Sequence, residues 1–141
     1  MQASRIRRRL AGAATVAVLA GAGVLATAPL ASAKANLIRI DKVALDGPGL
    51  KVNVTYSCDT GLHHQLVANA EQITSPALRE IGAGTLKADK LTCDYANHTA
   101  QVHLRPGDVR GFHKGDEVKV TVFFFDEDGF RYGDTETIAT V

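Results

Sequence analysis

Apolar and polar residues alternate with a period of two along several stretches of this chain, and this pattern restricts the fold more than any other feature. One stretch places its apolar side chains at every second position, namely Leu50, Val52, Val54, Tyr56 and Cys58. Similar alternation occurs at 91–95, 100–104 and 118–124. Because successive side chains of a strand point to opposite faces, each stretch predicts a strand with one buried face.

Turn-forming residues separate these stretches at short intervals. The turn sequences are Asp46-Gly47-Pro48-Gly49, Asp59-Thr60-Gly61, Gly82-Ala83-Gly84, Pro106-Gly107-Asp108, Lys114-Gly115-Asp116 and Asp128-Gly129. We predict seven strands, at 36–45, 50–58, 64–73, 86–94, 98–105, 117–126 and 135–141. Seven antiparallel strands in about 100 residues are typical of an all-β, immunoglobulin-like or fibronectin-type-III-like sandwich. The chain has no Trp, so the core tryptophan of antibody domains is missing.

The N-terminus has the three parts of a secretory signal peptide, which would form a helix ahead of the sandwich. Four arginines within residues 5–9 precede an apolar stretch, and Ala31-Ser32-Ala33 fits the small-residue cleavage site. We predict cleavage after Ala33, one domain over 34–141, and a secreted protein. Arg8-Arg9 leaves both the general and the twin-arginine export routes open.

The apparent basicity of the chain belongs to this N-terminal segment. Residues 1–33 hold four of the 16 Lys and Arg and none of the 15 Asp and Glu, so 34–141 carry a net charge of −3. Without a run of Lys or Arg, that domain is not expected to bind nucleic acid or, after cleavage, a membrane. We expect a monomer.

Cys58 and Cys93 are the two cysteines of the chain. In an exported protein such a pair predicts a disulfide. The alternation at 50–58 and 91–95 points both side chains inward, from separate predicted strands, so they can meet across the core.

Three short motifs resemble a group of small exported actinobacterial proteins. The motifs are VTYSCDTG, IGAGTLKADKLTCDYANHTAQVHL and KGDEVKVTVFFFDEDG, and the matching residues are Tyr56, Cys58, Ile81, Gly82, Gly84, Cys93, Asp94 and His98. The resemblance covers about 50–105 and implies a secreted β-sandwich with one disulfide. Because that group has no assigned activity, the resemblance implies no catalytic residue.

The histidines are too scattered to predict a metal site or an active site. Zinc requires three or four converging ligands, and only a pairing such as His64 with His98 could begin one. We expect His98 to cap the turn after Asp94 and the other histidines to be solvated. No nucleophile elbow is present, so we predict no catalytic residue, no metal and no cofactor.

The stretch FFFDEDGFRYGD, residues 123–134, allows three interpretations. The first interpretation is a calcium site, but an EF-hand loop does not fit the sequence, because glycine falls at loop position 4 instead of 6. The sequence leaves open a weaker calcium site at Asp126 and Asp128. The second interpretation is a hairpin turn, for which Asp128-Gly129 is a common sequence. The third interpretation is a surface that binds a partner.

Four aromatic residues of this stretch form the candidate partner surface: Phe123, Phe125, Phe130 and Tyr132. Exposed apolar patches often mark interfaces. The alternative is that a neighbouring element covers them.

These observations predict a secreted, non-enzymatic protein that binds an extracellular protein or a cell-wall component. The alternative hypothesis is a secreted protease inhibitor, for which Thr85-Leu86-Lys87 would be the inhibitory segment.

Overall fold

The computed structural model describes residues 36–61, 63–74 and 79–141, and within them the fold is all-β. Seven strands occur, all paired in antiparallel fashion: β1 (Leu37–Asp46), β2 (Gly49–Ser57), β3 (Gln65–Gln72), β4 (Ile81–Leu86), β5 (His98–Pro106), β6 (Glu117–Phe125) and β7 (Arg131–Thr140). A 3-10 turn covers Ala88–Lys90. The predicted seven-stranded antiparallel all-β fold is confirmed, whereas the predicted signal peptide, 1–33, lies outside the described residues.

The strands form a nearly closed sheet in the order β1-β2-β5-β4-β3-β6-β7. Three strands, β1-β2-β5, are paired along their length on one side, and four, β4-β3-β6-β7, on the other. Only two residue pairs, Gly82 with Pro106 and Ala83 with Arg105, join β4 to β5. The arrangement is therefore sandwich-like, with a narrow connection at one side. In the described part of the chain, no helix is long and apolar enough to cross a membrane.

The core lies between the two groups of strands. Its fully buried members are the inward-facing residues of β2, β3, β5 and β6, among them Leu50, Val52, Val54, Leu66, Ala68, Val102, Val118, Val120, Val122 and Phe124. Burying each Val, Leu or Phe side chain contributes about 1.5–3 kcal/mol relative to an exposed one. The alternation that predicted β2, β5 and β6 is thus the alternation that fills the core.

The fourth strand lies earlier in the chain than predicted. It covers Ile81–Leu86 instead of 86–94, and residues 87–97 form an irregular segment. Gly82 and Gly84, which indicated a turn, lie inside this strand because β4 lies very close to β5. A Cβ atom at Gly84 would be 2.1 Å from the carbonyl oxygen of His103. Glycine is therefore required by the close approach of two backbones, not by a turn.

The pairing of β6 with β7 contains a β-bulge where the aromatic stretch begins. Val122 pairs with Thr135 and Phe124 with Tyr132, so two residues of β7 lie opposite Phe123. Gly133 has a φ of 66°, the left-handed conformation that glycine adopts at many bulges. The bulge lets β7 start at Arg131, four residues before the predicted start.

Candidate functional site

The disulfide Cys58–Cys93 covalently links the irregular segment 87–97 to the residue that follows β2. The two Cα atoms are 4.8 Å apart. Two further bonds support it: Thr92 N–H donates to the Tyr56 hydroxyl at 3.0 Å, and Tyr95 N–H donates to the Cys58 carbonyl at 3.2 Å. The predicted disulfide is confirmed, but Cys93 lies in a loop and is half-buried, not inward-facing on a strand.

Asp94 and His98 close this loop before β5. Nε2 of His98 is 2.7 Å from Oδ1 of Asp94, and Ala96 N–H donates to the same oxygen at 3.0 Å. The hydrogen bond from His98, followed by that from Ala96, lowers the pKa of Asp94. His98 therefore holds the turn after Asp94, as expected.

His64 is fully buried, although the sequence suggested a solvated residue. Its ring lies 5.5 Å from that of Phe124 and 5.3 Å from that of Tyr132. Nε2 is 3.4 Å from the Tyr132 hydroxyl, and Nδ1 has no hydrogen-bond partner among the described residues. His64 is thus part of the aromatic core. Within 36–61, 63–74 and 79–141, no group of three His, Cys, Asp or Glu side chains could hold a metal ion.

The turn after β6 uses Asp126 to satisfy its own backbone. Oδ1 of Asp126 accepts a hydrogen bond from Phe130 N–H at 2.7 Å, and the Asp126 carbonyl accepts one from Gly129 N–H at 3.3 Å. Asp128 makes no contribution to these bonds. The geometry is that of a side-chain-capped hairpin turn.

The four residues of the candidate partner surface fall into two pairs. Phe123 is buried, and Tyr132 packs against the core. Phe125 and Phe130 are exposed, at 37% and 68%. A continuous surface of four aromatic side chains is therefore not formed, and two exposed rings remain near the turn.

Thr85, Leu86 and Lys87 do not form a protruding loop. Thr85 and Leu86 end β4, where they pair with Val67 and Leu66 of β3. Leu86 also packs against the core. An inhibitory segment must enter the active site of a protease, so this position offers no support for the inhibitor hypothesis.

A groove of about 580 Å³ lies on the outer face of the four-stranded side. Its walls and floor include Asn69 and Glu71 of β3, Ile81 and Ala83 of β4, Arg105 of β5 and Lys119 of β6. The floor is low because Ala83, between Asn69 and Arg105 in the sheet, has a minimal side chain. A sheet face with a floor of small residues between long side chains can accept an extended ligand.

A second hollow of about 470 Å³ continues from the groove along β4. Ala83 and Arg105 line both cavities, and the second also includes Thr85 and His103. Nδ1 of His103 lies 2.6 Å from Oδ2 of Asp46. The two hollows are thus adjacent, and the residues they share, Ala83 and Arg105, lie at the narrow connection between β4 and β5.

A buried carboxylate fixes one rim of the groove. Oε1 of Glu80 accepts hydrogen bonds from the N–H groups of Gly107 and Asp108, both at 3.0 Å. Gly107 N–H also donates to the Ile81 carbonyl at 2.8 Å. Because Glu80 is only 2% exposed, the hydrogen bonds that hold this turn are made by a buried side chain.

Two of the charged side chains that line the groove have ionic partners. Glu71 forms an ion pair with Arg79, and Nζ of Lys119 lies 3.7 Å from Oε2 of Glu136. Arg105 differs: within the described ranges, no carboxylate oxygen lies within 4.0 Å of its guanidinium. The remaining residues, 1–35, 62 and 75–78, contain no Asp or Glu. The groove therefore carries one cationic side chain that forms no ion pair with the described residues.

The groove was not among the sites predicted from the sequence. Its strand residues come from four strands and are separated by up to 52 positions, from Asn69 to Thr121. Comparison with protein-family models, with curated proteins and with solved structures finds no match. The site is therefore defined by geometry and charge alone.

Proposed function

We propose that this chain is an exported, non-enzymatic β-sandwich domain of the immunoglobulin-like or fibronectin-type-III-like type. The division into three and four antiparallel strands supports this class. The disulfide supports export, because such bonds persist in oxidising surroundings outside the cytoplasm. The resemblance to small exported actinobacterial proteins agrees with both points.

We further propose that the domain binds a macromolecular partner or a component of the cell exterior through the groove on its four-stranded side. The observation that carries this proposal is the pair of adjacent hollows along β4, lined by polar, apolar and charged side chains. Binding sites typically combine a concave surface with a few placed polar groups. Phe125 and Phe130 provide a second, smaller candidate surface at the end of β6.

Export can be tested directly. The full chain, expressed in a bacterial host, should be recovered from the medium with Lys34 as its first residue. N-terminal sequencing and mass measurement check this. Retention of the intact chain in the cytoplasm would contradict the proposal.

The binding site can be tested by filling the groove. Ala83→Trp should reduce co-sedimentation with isolated cell walls, or recovery of a partner from culture supernatant, at least tenfold. Thr99→Trp is the matched control, because Thr99 is exposed on the opposite, three-stranded side. Both variants should keep the melting temperature of the parent. Equal binding by Ala83→Trp and the parent, or no binding by the parent, would overturn the assignment.

A further inference from the structure

The groove contains one cationic side chain that forms no ion pair among the described residues. Arg105 lines both hollows and has no ionic partner among the described residues, while Glu71 and Lys119 are paired with neighbours. A guanidinium can form two parallel hydrogen bonds with one carboxylate, and these charge-assisted bonds are the stronger kind. The position of Arg105 therefore favours a ligand that carries a carboxylate.

An apolar side chain lies diagonally from this charge, further along β4. Ile81 is 59% exposed and is on the same outer face as Ala83, two residues along β4. A ligand that pairs with Arg105 beside Ala83 and then runs along β4 would place its next group against Ile81. Aliphatic contact there would remove apolar surface from water on both partners.

Polar side chains without net charge complete the floor. Asn69 and Thr121 line the groove between the charged residues, and both can exchange hydrogen bonds with amide groups. The described residues that line the groove include no aromatic side chain on which a sugar ring could stack. These features favour an extended peptide over a glycan.

We propose that the groove binds an extended peptide that carries a carboxylate next to an aliphatic side chain. The carboxylate pairs with Arg105, the aliphatic side chain contacts Ile81, and Asn69 and Thr121 bind the peptide backbone. This inference rests on the proposed binding function and names the chemistry of the ligand. The rim held by Glu80 gives the peptide a rigid surface, which reduces the entropy lost on binding.

The probes for the test are two matched pools of random pentapeptides. In the acidic pool, one Asp or Glu stands among Ala, Val, Leu and Ile; in the neutral pool, Asn or Gln replaces the acid. Both pools have an amidated C-terminus. Titration of the ¹⁵N-labelled protein purified from the medium, followed by NMR, should shift the amides of Asn69, Ala83 and Arg105. The acidic pool should bind at least tenfold more tightly, which corresponds to about 1.4 kcal/mol.

Two substitutions assign the effect to the groove. Arg105→Gln should abolish the preference for the acidic pool, whereas Arg110→Gln should retain it, because Arg110 is an exposed arginine already paired with Asp108. A third pool, with a free C-terminus and no acidic side chain, distinguishes a terminal carboxylate from a side-chain one. Equal affinity for the acidic and neutral pools, or an unchanged preference in Arg105→Gln, would overturn the proposal.

The two proposals fail in different ways. If Ala83→Trp loses binding to cell walls or to a partner but no peptide pool is preferred, the binding function stands and the peptide ligand is wrong. If the parent protein binds neither cell walls, nor a partner, nor peptides, both proposals fall.

Discussion

The guanidinium carbon of Arg131 lies 4.1 Å from the centroid of the Phe123 ring. Asp134 holds this guanidinium in place with two contacts, at 3.0 Å from Nε and 2.8 Å from Nη2. Phe123 is only 7% exposed. Its neighbours Val122 and Phe124 belong to the core cluster, whereas Phe123 does not. Residues of the same short stretch therefore cover one another, and the buried ring is not available to a partner.

The Arg131–Phe123 contact should contribute measurably to stability. A double-mutant cycle with Arg131→Ala and Phe123→Leu should give a coupling free energy of about 0.5–1 kcal/mol, the range of a partly exposed cation–π contact. Denaturant unfolding provides the four free energies. The control cycle pairs Arg110→Ala with Phe123→Leu and should give no coupling. A zero value in both cycles would show that Arg131 only shields the ring.

The disulfide should be a major source of stability. Replacing Cys58 and Cys93 together by Ala should lower the free energy of unfolding by about 3–4 kcal/mol, because the unfolded chain gains entropy when a loop of this length is released. Chemical reduction of the parent protein should have a comparable effect. An unchanged denaturation midpoint after reduction would contradict the prediction.

Gly84 should tolerate no side chain. Gly84→Ala would bring a Cβ atom into the backbone of His103. We therefore expect the free energy of unfolding to fall by about 3 kcal/mol or more, the upper end of the range for overpacked substitutions. Gly47→Ala is the control, since its φ is 60° and no atom lies within 4 Å of the added Cβ. The control should lose about 1–2 kcal/mol for the left-handed backbone alone. Equal losses would show that contact with β5 is unimportant.

Asp94 should make stability depend on pH below about 4. The hydrogen bond from His98 lowers its pKa in the folded state, so between the folded and unfolded pKa values the unfolded chain binds more protons. The stabilisation is therefore present above the unfolded pKa, about 3.9, and is lost as pH falls through the folded value.

Two variants test this dependence. Asp94→Asn and His98→Leu should each flatten the plot of unfolding free energy against pH between about 2 and 4, relative to the parent, because each removes the same hydrogen bond. Because Asp94 is solvent-exposed, the change should be modest. Slopes identical to the parent in both variants would refute the assignment.

The strands that the sequence predicts best are those that fill the core with their own side chains. Val52, Val120 and Phe124 belong to stretches whose alternation has a direct physical cause, the buried face. β4 has no such pattern, since Gly84 lies against the backbone of His103 and Gly82 against the ring of Phe112. A glycine that permits close approach and a glycine that permits a turn look alike in the sequence.

The candidate site could not be predicted from local pattern. Asn69, Arg105 and Lys119 each look like an ordinary outward-facing residue of a strand, whereas Ala83 lies in a predicted turn. Only the strand order makes the four residues neighbours. The prediction that His64 is solvated was wrong for a related reason, because its aromatic neighbour Tyr132 comes from the last strand. In both cases the deciding contacts join distant parts of the chain.

The nearly closed sheet also bears on how the protein behaves at high concentration. β1 and β7 are the two ends of the strand order, and the position of a Cβ at Gly133 would be 3.1 Å from the carbonyl oxygen of Asn36, just ahead of β1. Unpaired strand edges are the usual templates on which further chains add and polymerise. Here the two edges approach each other at Asn36 and Gly133, which leaves less room at that point for a strand from a second molecule to add.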